Sequence, residues 1–360
     1  MDWSIRATFA TGMAILSLCQ FFRSLYRPRN RRAGPRREKI PTTYSSDATP
    51  FRSPPDSTRP SKPNQHESQS YYDLAQRLRR LLPLTFVWLG LGDIQFIATT
   101  PFSSGGFSEV WQGSLQGSLV AVKSLRCYSS LEFNPAEIGL RFLKEVWASS
   151  QLSHPNIVPF LGVYSTPSHP FALLYEMMDN LDLGRYLTQR SNVSRLKLLT
   201  EISRAMKYMH STDVVHGNIK MKNVLVDKDG VARLGGLGSA FTLSLPASWA
   251  DVDAERLFCG IAPELINPQA FGLVHARTTK ATDVFAFGML AWEVFEGKPP
   301  FAGKIEAAVI LSVFQNNRPL RPVHPEVSDR VWAMIQRCWD RDPFRRMAAT
   351  DIVDLLEAET

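Results

Sequence analysis

The sequence has 360 residues, of which 44% are hydrophobic, 11% aromatic and 21% charged, and its formal net charge is +7. This is ordinary globular composition, and the length accommodates one large domain or two smaller ones with tails. The four cysteines, at positions 19, 127, 259 and 338, lie far apart and show no metal-ligand spacing. They exclude a disulfide scaffold and indicate a reducing compartment, so we expect a cytoplasmic protein.

The positive charge is concentrated at the amino-terminal end. Residues 1–70 contain 12 Lys or Arg and 5 Asp or Glu, whereas residues 71–360 contain 29 of each kind. A domain that binds nucleic acid usually carries its basic residues on the folded body. The neutral body therefore argues against a nucleic-acid partner.

Residues 1–39 combine an apolar run with a basic cluster. No charged residue occurs from Ala7 to Phe22, and eight basic residues follow between Arg23 and Lys39. As a helix the apolar run would span about 24 Å, which is shorter than the roughly 30 Å hydrocarbon core of a bilayer. Three interpretations remain open: a segment that spans or contacts a membrane surface, a mitochondrial presequence, and an unstructured tail. Mitochondrial targeting is favoured least.

Residues 40–70 are rich in Pro and Ser and poor in aliphatic residues. Such a stretch buries too little apolar surface to offset the entropy lost on ordering, which predicts a flexible linker. Residues 71–93 resume an apolar pattern, with helical spacing from Leu74 to Leu82 and an apolar run from Leu84 to Leu91. We expect this extension to pack on a folded domain that begins near Ile94.

A strand-rich segment opens the predicted domain. Turn-forming residues around Gly105 and Gly106 separate its first strand from two further strands, which Gln116-Gly117 joins as a hairpin. A glycine-bearing turn between strands lets backbone N–H groups approach a phosphate, but alone this signal is weak. Lys123 then lies within an apolar strand, where a lysine needs a paired acid.

The acid expected to pair with Lys123 is Glu145, which lies in a helical stretch 22 residues later. With these two positions the sequence resembles a protein kinase domain of the tyrosine-kinase-like group, over about residues 94–356. The matching segments are the lysine strand 120–123, the glutamate helix 142–145, the next turn and strand 154–158, the catalytic loop 216–225, the DFG segment 234–238, the APE segment 262–264, the start of the central helix 283–288 and the group's ending 338–346.

The resemblance implies an α+β, bilobal protein kinase fold. The N-lobe, over about residues 94–177, would be small and β-rich with one main helix. The C-lobe, over about residues 178–356, would be larger and helical. A cleft between the two lobes would hold ATP and Mg²⁺, and the protein would work in phosphorylation and signalling.

The resemblance also assigns expected roles to individual residues. Those matching the nucleotide-binding positions are Gly105, Gly106, Val110, Ala121, Lys123, Glu145, Glu176, Met177 and Leu225, and Tyr175 matches the gatekeeper position before the hinge. Lys220 and Asn223 match catalytic-loop residues, and Asn223 would be a metal ligand. The residues expected to support the fold and not the chemistry are His216, Glu264, Asp283 and Arg346. We expect Glu264 and Arg346 to form a buried ion pair.

Two carboxylates that the family uses are absent. Asn218 occupies the position of the catalytic base, and an amide cannot accept the proton of a substrate hydroxyl. Gly236 occupies the position of the DFG aspartate, so the metal site keeps only the neutral amide of Asn223. Because Mg²⁺ requires oxygen ligands, we expect Mg²⁺ to bind poorly and ATP to bind weakly at best. This is the pattern of a pseudokinase variant.

Three functions remain open. The first is a pseudokinase that acts as a scaffold or allosteric partner of another protein, such as another kinase. The second is an active or weakly active Ser/Thr/Tyr protein kinase that transfers phosphate from ATP, for which Lys123, Glu145, Lys220 and Asn223 are retained. The third is a membrane-tethered binding module in which residues 1–39 carry the function, and it can coexist with the first.

Overall fold

The computed structural model describes residues 65–81, 88–89, 92–104, 108–126, 135–242 and 260–360. The predictions for the arm at 1–39, for the linker up to residue 64, and for Gly105 and Gly106 lie outside these described residues.

A seven-stranded sheet forms the first lobe. Its strands are β1 (Trp88–Leu89), β2 (Ile94–Phe96), β3 (Ser103–Ser104), β4 (Ser108–Leu115), β5 (Ser118–Leu125), β6 (Phe160–Tyr164) and β7 (Ala172–Glu176). They are hydrogen-bonded in the order β1-β6-β7-β5-β4-β2, with β3 beside β4. Only the pair of β1 and β6 is parallel, while the remaining pairs are antiparallel.

The hairpin of β4 and β5 sets which side chains face the cleft. Its turn residues Gln116 and Gly117 both have positive φ, 51° and 85°, as a two-residue hairpin turn requires, so the predicted hairpin is confirmed. Successive residues of a strand point to opposite faces. Val120 and Val122 are therefore buried in a core cluster on one face, and Lys123 lies on the other face.

Two helices pack together on the lysine-bearing face of this sheet. They are α1 (Gln65–Leu81) and α2 (Pro135–Gln151). Leu74 and Leu78 of α1 are buried in one cluster with Phe142 and Val146 of α2. The prediction of a linker up to residue 70 was wrong at its end, because α1 begins at Gln65. A polar first turn adds little apolar burial of its own, but it extends a helix whose later turns are held by packing.

The second lobe is mainly helical. Its helices are α3 (Leu183–Gln189), α4 (Arg195–Ser211), α5 (Pro263–Ile266), α6 (Lys280–Glu296), α7 (Glu306–Phe314), α8 (Asp329–Cys338) and α9 (Ala349–Glu359). Short strands form two pairs, β8 (Val214–Val215) with β11 (Phe241–Thr242) and β9 (Val224–Val226) with β10 (Ala232–Leu234). A sheet-rich lobe followed by a helical lobe confirms the predicted α+β bilobal fold.

Helix α6 is the centre of the C-lobe core. It is apolar around most of its circumference, which is the pattern of a helix enclosed on all sides. Thr279 and Thr282 form a capping box at its start, and Gly297 in a left-handed conformation ends it. The first turn of this helix presents Asp283 to the functional site.

Replacing Leu78 tests whether α1 is an integral part of the N-lobe. The Leu78 side chain is fully buried, so we expect Leu78→Ala to lower the free energy of unfolding by about 2–5 kcal/mol, through lost burial and a residual cavity. Chemical denaturation measures this change. Ser70→Ala, at an exposed position of the same helix, is the matched control, and equal stability of the two variants would contradict the packing role.

Candidate functional site

An ion pair joins the sheet to α2. The Nζ atom of Lys123 on β5 lies 2.5 Å from Oε1 of Glu145 on α2. The Glu145 side chain is 3% exposed and the Lys123 side chain 20% exposed. A carboxylate this deeply buried is destabilising unless it is paired, so the lysine holds the helix at this point of the sheet.

Apolar side chains surround the lysine on the same face. Val110 is the register partner of Lys123 across β4 and β5, and Ala121 lies two residues before it. Both are only partly buried, as are Met177, which follows β7, and Leu225 on β9. Glu176, at the end of β7, is exposed. The structure thus places Val110 and Ala121 beside Lys123, in a surface that an apolar ring can cover.

The carboxylate of Asp283 orders the loop that follows β8. It accepts hydrogen bonds from the backbone N–H groups of His216 and Gly217, both at 2.8 Å, and from Nε2 of His210 at 3.0 Å. Asp283 is 1% exposed, so these three donors replace the water that the carboxylate has lost. The loop backbone is therefore tied directly to the central helix.

His216 connects the same loop to the segment after β10. Its Nδ1 accepts a hydrogen bond from the backbone N–H of Asn218 at 3.1 Å, so its Nε2 carries the proton that is donated to the carbonyl oxygen of Gly235 at 2.9 Å. Burial lowers the pKa of His216 below its ordinary value of 6.5, which keeps the ring neutral. The ring therefore holds the backbone of Asn218 and the backbone of Gly235 at a fixed separation.

The amide of Asn223 turns toward the loop. Its Nδ2 donates a hydrogen bond to the backbone oxygen of Asn218 at 2.7 Å. Lys220, between these two residues, is partly buried. The structure therefore brings together Asn218, Lys220 and Asn223, as the resemblance implies, but the side chains at positions 218 and 223 are neutral amides.

Gly236 lies directly beside the amide of Asn223. Its φ is +74°, and a Cβ atom at this position would lie 2.5 Å from Cγ, 2.6 Å from Oδ1 and 2.8 Å from Nδ2 of Asn223. The amide thus fills the space into which a side chain at position 236 would project. Among the described residues, no group of three or more His, Cys, Asp or Glu side chains is placed to hold a metal ion. The side chains of Asn218 and Asn223 are neutral amides, and Gly236 has no side chain that could offer an oxygen ligand.

Gly217 also has a left-handed backbone, with φ of +75°. A Cβ atom here would lie 2.9 Å from the backbone oxygen of Ser239, so any larger residue would need a shift of the neighbouring segment. The family position before the catalytic base normally carries a basic residue, and that cation is absent from this loop.

Glu264 and Arg346 form the buried ion pair expected from the resemblance. The Nη1 and Nη2 atoms of Arg346 lie 2.6 and 2.7 Å from the two carboxylate oxygens of Glu264, which is a bidentate geometry. Arg346 also donates hydrogen bonds to the backbone oxygens of Asp340 and Ala281. This pair ties α5 to α6 and to the segment that precedes α9.

Sequence reasoning missed two contributors to the site. One is the hydroxyl of Tyr175, which donates a hydrogen bond to Oε1 of Glu145 at 3.0 Å and lies 2.9 Å from Oγ of Ser149. The four-residue spacing of Glu145 and Ser149, one helical turn, is a sequence signal that places both on one face of α2. The other is the contact of α1 with α2: the sequence predicts that residues 71–93 pack on the domain, but not that they meet this helix.

Residues 97–356 match the family described as protein tyrosine and serine/threonine kinase. This match covers more than half of the chain, and the chain belongs to that protein kinase family. The prediction made from the motifs is confirmed at this level. The match begins after α1, β1 and β2, so these three elements precede the matched residues.

Curated relatives are protein kinases of plants, bacteria and amoebae. The serine/threonine/tyrosine-protein kinase HT1 of Arabidopsis thaliana is 29% identical over 270 residues, which cover 73% of this chain and 66% of the relative. The probable serine/threonine-protein kinase PknB of Lactococcus lactis is 30% identical, over 70% of this chain and 39% of the relative. The dual specificity protein kinase pyk3 of Dictyostelium discoideum is 28% identical, over 78% of this chain and 20% of the relative.

The chain thus spans less than two thirds of the length of these relatives. In the part of the chain that the structure describes, no helix is both long enough and apolar enough to cross a bilayer.

Removing the arginine of the buried ion pair tests its structural role. We expect Arg346→Ala to lower the free energy of unfolding by about 3–5 kcal/mol, because Glu264 would keep a buried charge without its partner. Arg345→Ala is the matched control, since that side chain is 77% exposed and its contact with Asp342 is 3.7 Å long; its cost should stay within about 1 kcal/mol. Similar denaturation midpoints for both variants would contradict the assignment.

Proposed function

We propose that this chain is a pseudokinase: a protein kinase domain that does not transfer phosphate and acts as a scaffold or allosteric partner of another protein. A second protein kinase is the partner class that we favour, and nucleic acid is not expected. The observation that carries the proposal is the neutral set of side chains at positions 218, 223 and 236. Asn223 donates its amide N–H to the backbone of Asn218 and fills the space beside Gly236.

The two missing carboxylates act on different parts of phosphoryl transfer. A general base typically contributes about 10²–10⁴ in rate, and Asn218 has no useful basicity. A metal ion that bridges the phosphates neutralises the charge that develops in the transition state, and Gly236 offers it no ligand. Because the losses are independent, a single local rearrangement does not restore both functions.

We further propose that the cleft binds ATP weakly and without a strong requirement for Mg²⁺. Protein kinase domains in general bind ATP together with Mg²⁺. Here the Lys123–Glu145 pair and the half-buried Val110 and Ala121 on the same face support contacts to phosphate and to adenine. A nucleotide held in this way depends on the lysine cation and on apolar packing.

Nucleotide binding is tested by thermal unfolding with ATP, with and without Mg²⁺. ATP at ten times its Kd adds about 1.4 kcal/mol of stability, and we expect this gain to be similar with and without the metal. Lys123→Ala should abolish the gain, whereas Lys228→Ala, at an exposed turn position, should keep it. A stabilisation that appears only with Mg²⁺ would contradict the proposed metal independence.

Restoring both carboxylates tests the pseudokinase proposal. We expect Asn218→Asp alone to be inactive, because the metal site remains incomplete. In Gly236→Asp the new Cβ would lie within 2.8 Å of Asn223, so the amide must rotate away, and we expect no activity from this change alone. Phosphate transfer to a generic substrate should appear only in the double variant and should be lost on adding Lys123→Ala. Transfer by the unaltered chain above its own Lys123→Ala background would instead establish an active enzyme.

The second candidate is a weakly active protein kinase. The short Lys123–Glu145 ion pair favours it, and the relatives are named as kinases of serine, threonine and tyrosine. The assay above separates the two candidates.

The location of the chain and its arm are also proposals. We propose a cytoplasmic protein whose residues 1–39 contact a membrane surface through their apolar run and basic cluster. Such a tether would make the chain a membrane-bound module, and it is compatible with the scaffold function. Targeting to mitochondria is the less favoured use of the same segment.

A further inference from the structure

The hydroxyl of Tyr175 contacts two residues of α2 that lie one turn apart. It is 3.0 Å from Oε1 of Glu145 and 2.9 Å from Oγ of Ser149. Tyr175 itself belongs to β7, where it is the register partner of Ala121 on β5. Its ring packs edge-on against Phe160, with 5.6 Å between the ring centroids. The side chain therefore joins the sheet to the helix from a fixed position.

The direction of each hydrogen bond follows from the protons that are present. The carboxylate of Glu145 only accepts, so Tyr175 must use its single O–H proton as the donor to Oε1. Ser149 must then donate its own proton to the phenol oxygen. Lys123, on β5, also donates a hydrogen bond to Oε1 of Glu145. One carboxylate oxygen thus receives donors from β5 and from β7.

Burial, together with the nearby negative charge of Glu145, raises the pKa of Tyr175 well above its ordinary value of 10. The phenol therefore keeps its proton at any pH near neutrality. The second carboxylate oxygen of Glu145 faces Gly238, where a Cβ atom would lie 3.0 Å from it. The carboxylate is thus enclosed by donors on one side and by the segment after Gly236 on the other.

We propose that Tyr175 is a positioning residue of the nucleotide site, which pins α2 to the sheet so that Glu145 stays opposite Lys123 without nucleotide or metal. A single contact leaves a helix free to rotate about it, whereas two contacts one turn apart, about 6 Å along the axis, oppose that rotation. The rigid phenol loses little entropy in making both contacts, because its ring has only two rotatable bonds. The part of this proposal that concerns nucleotide rests on the proposed function.

Hydrogen exchange of residues 143–151, in the full chain without nucleotide, tests directly whether Tyr175 holds α2 in place. We expect Tyr175→Phe to speed exchange of these amides about tenfold or more, the factor that corresponds to a lost hydrogen bond to a charged group. Ser149→Ala removes only the donor to the phenol and should speed exchange about threefold. The controls are Tyr186→Phe in the C-lobe and Ser150→Ala. Ser150 hydrogen-bonds only within α2, to the backbone oxygen of Trp147 and to the side chain of Gln151. Neither change should alter the exchange of α2.

The same exchange measurement in a chain that carries Glu145→Ala distinguishes positioning of Glu145 from general packing. If Tyr175 acts through Glu145, the effect of Tyr175→Phe should disappear in a chain that already carries Glu145→Ala, because coupled residues are non-additive. A purely structural role of the hydroxyl would leave the effect unchanged in both backgrounds. Where Tyr175→Phe fails to fold, the same comparison is made with Ser149→Ala.

The affinity of a fluorescent ATP analogue, measured without Mg²⁺, tests whether the contacts of Tyr175 also support nucleotide binding. We expect Tyr175→Phe to weaken binding about tenfold and Ser150→Ala to leave it unchanged. If the unaltered chain binds no analogue but the variants show the expected exchange rates, the positioning role of Tyr175 is supported and the proposed nucleotide binding is contradicted. If Tyr175→Phe exchanges like the unaltered chain, or acts equally without Glu145, the positioning proposal is overturned whether or not nucleotide binds.

Discussion

The buried carboxylate of Asp283 is the interaction on which the functional site depends. It is 1% exposed, and its oxygens accept from two backbone N–H groups of the loop and from the ring of His210. Removing one of these donors would leave part of a buried charge without a hydrogen bond inside the C-lobe core. The loop therefore keeps its path for reasons of stability, whatever side chains it presents to the cleft.

This dependence explains how the architecture of a kinase site can persist when acidic residues of the cleft are replaced. Several carboxylates close together in a cleft repel one another unless a cation is bound. With Asn218 and Gly236 in place of acids, the amide of Asn223 donates to the backbone of Asn218 and occupies the space beside Gly236. Neutral side chains at these positions avoid such a repulsion, in keeping with the usual opposition between stability and activity. The buried carboxylates of Glu145, Glu264 and Asp283 each have a partner that the fold supplies.

Much of this arrangement could be predicted because the signals are local or have a fixed order along the chain. Gln116-Gly117 specifies its own turn, and a lysine in an apolar strand requires an acid. The orientation of Asn223 could not be predicted, because it depends on free space beside Gly236, a residue 13 positions away. The start of α1 was missed for a related reason: its first turn is polar, and the burial that holds the helix involves Phe142 and Val146, which are distant in sequence.

The contacts of α2 with α1 and with the sheet favour an N-lobe in which this helix does not move. Leu78 packs on the helix from the side of α1, and Tyr175 and Lys123 hold it from the side of the sheet. The match to the kinase family begins at residue 97, after α1. An enzyme that releases product must open and close its cleft repeatedly. A helix held on both faces resists that motion and presents a constant surface, in agreement with the proposed scaffold function.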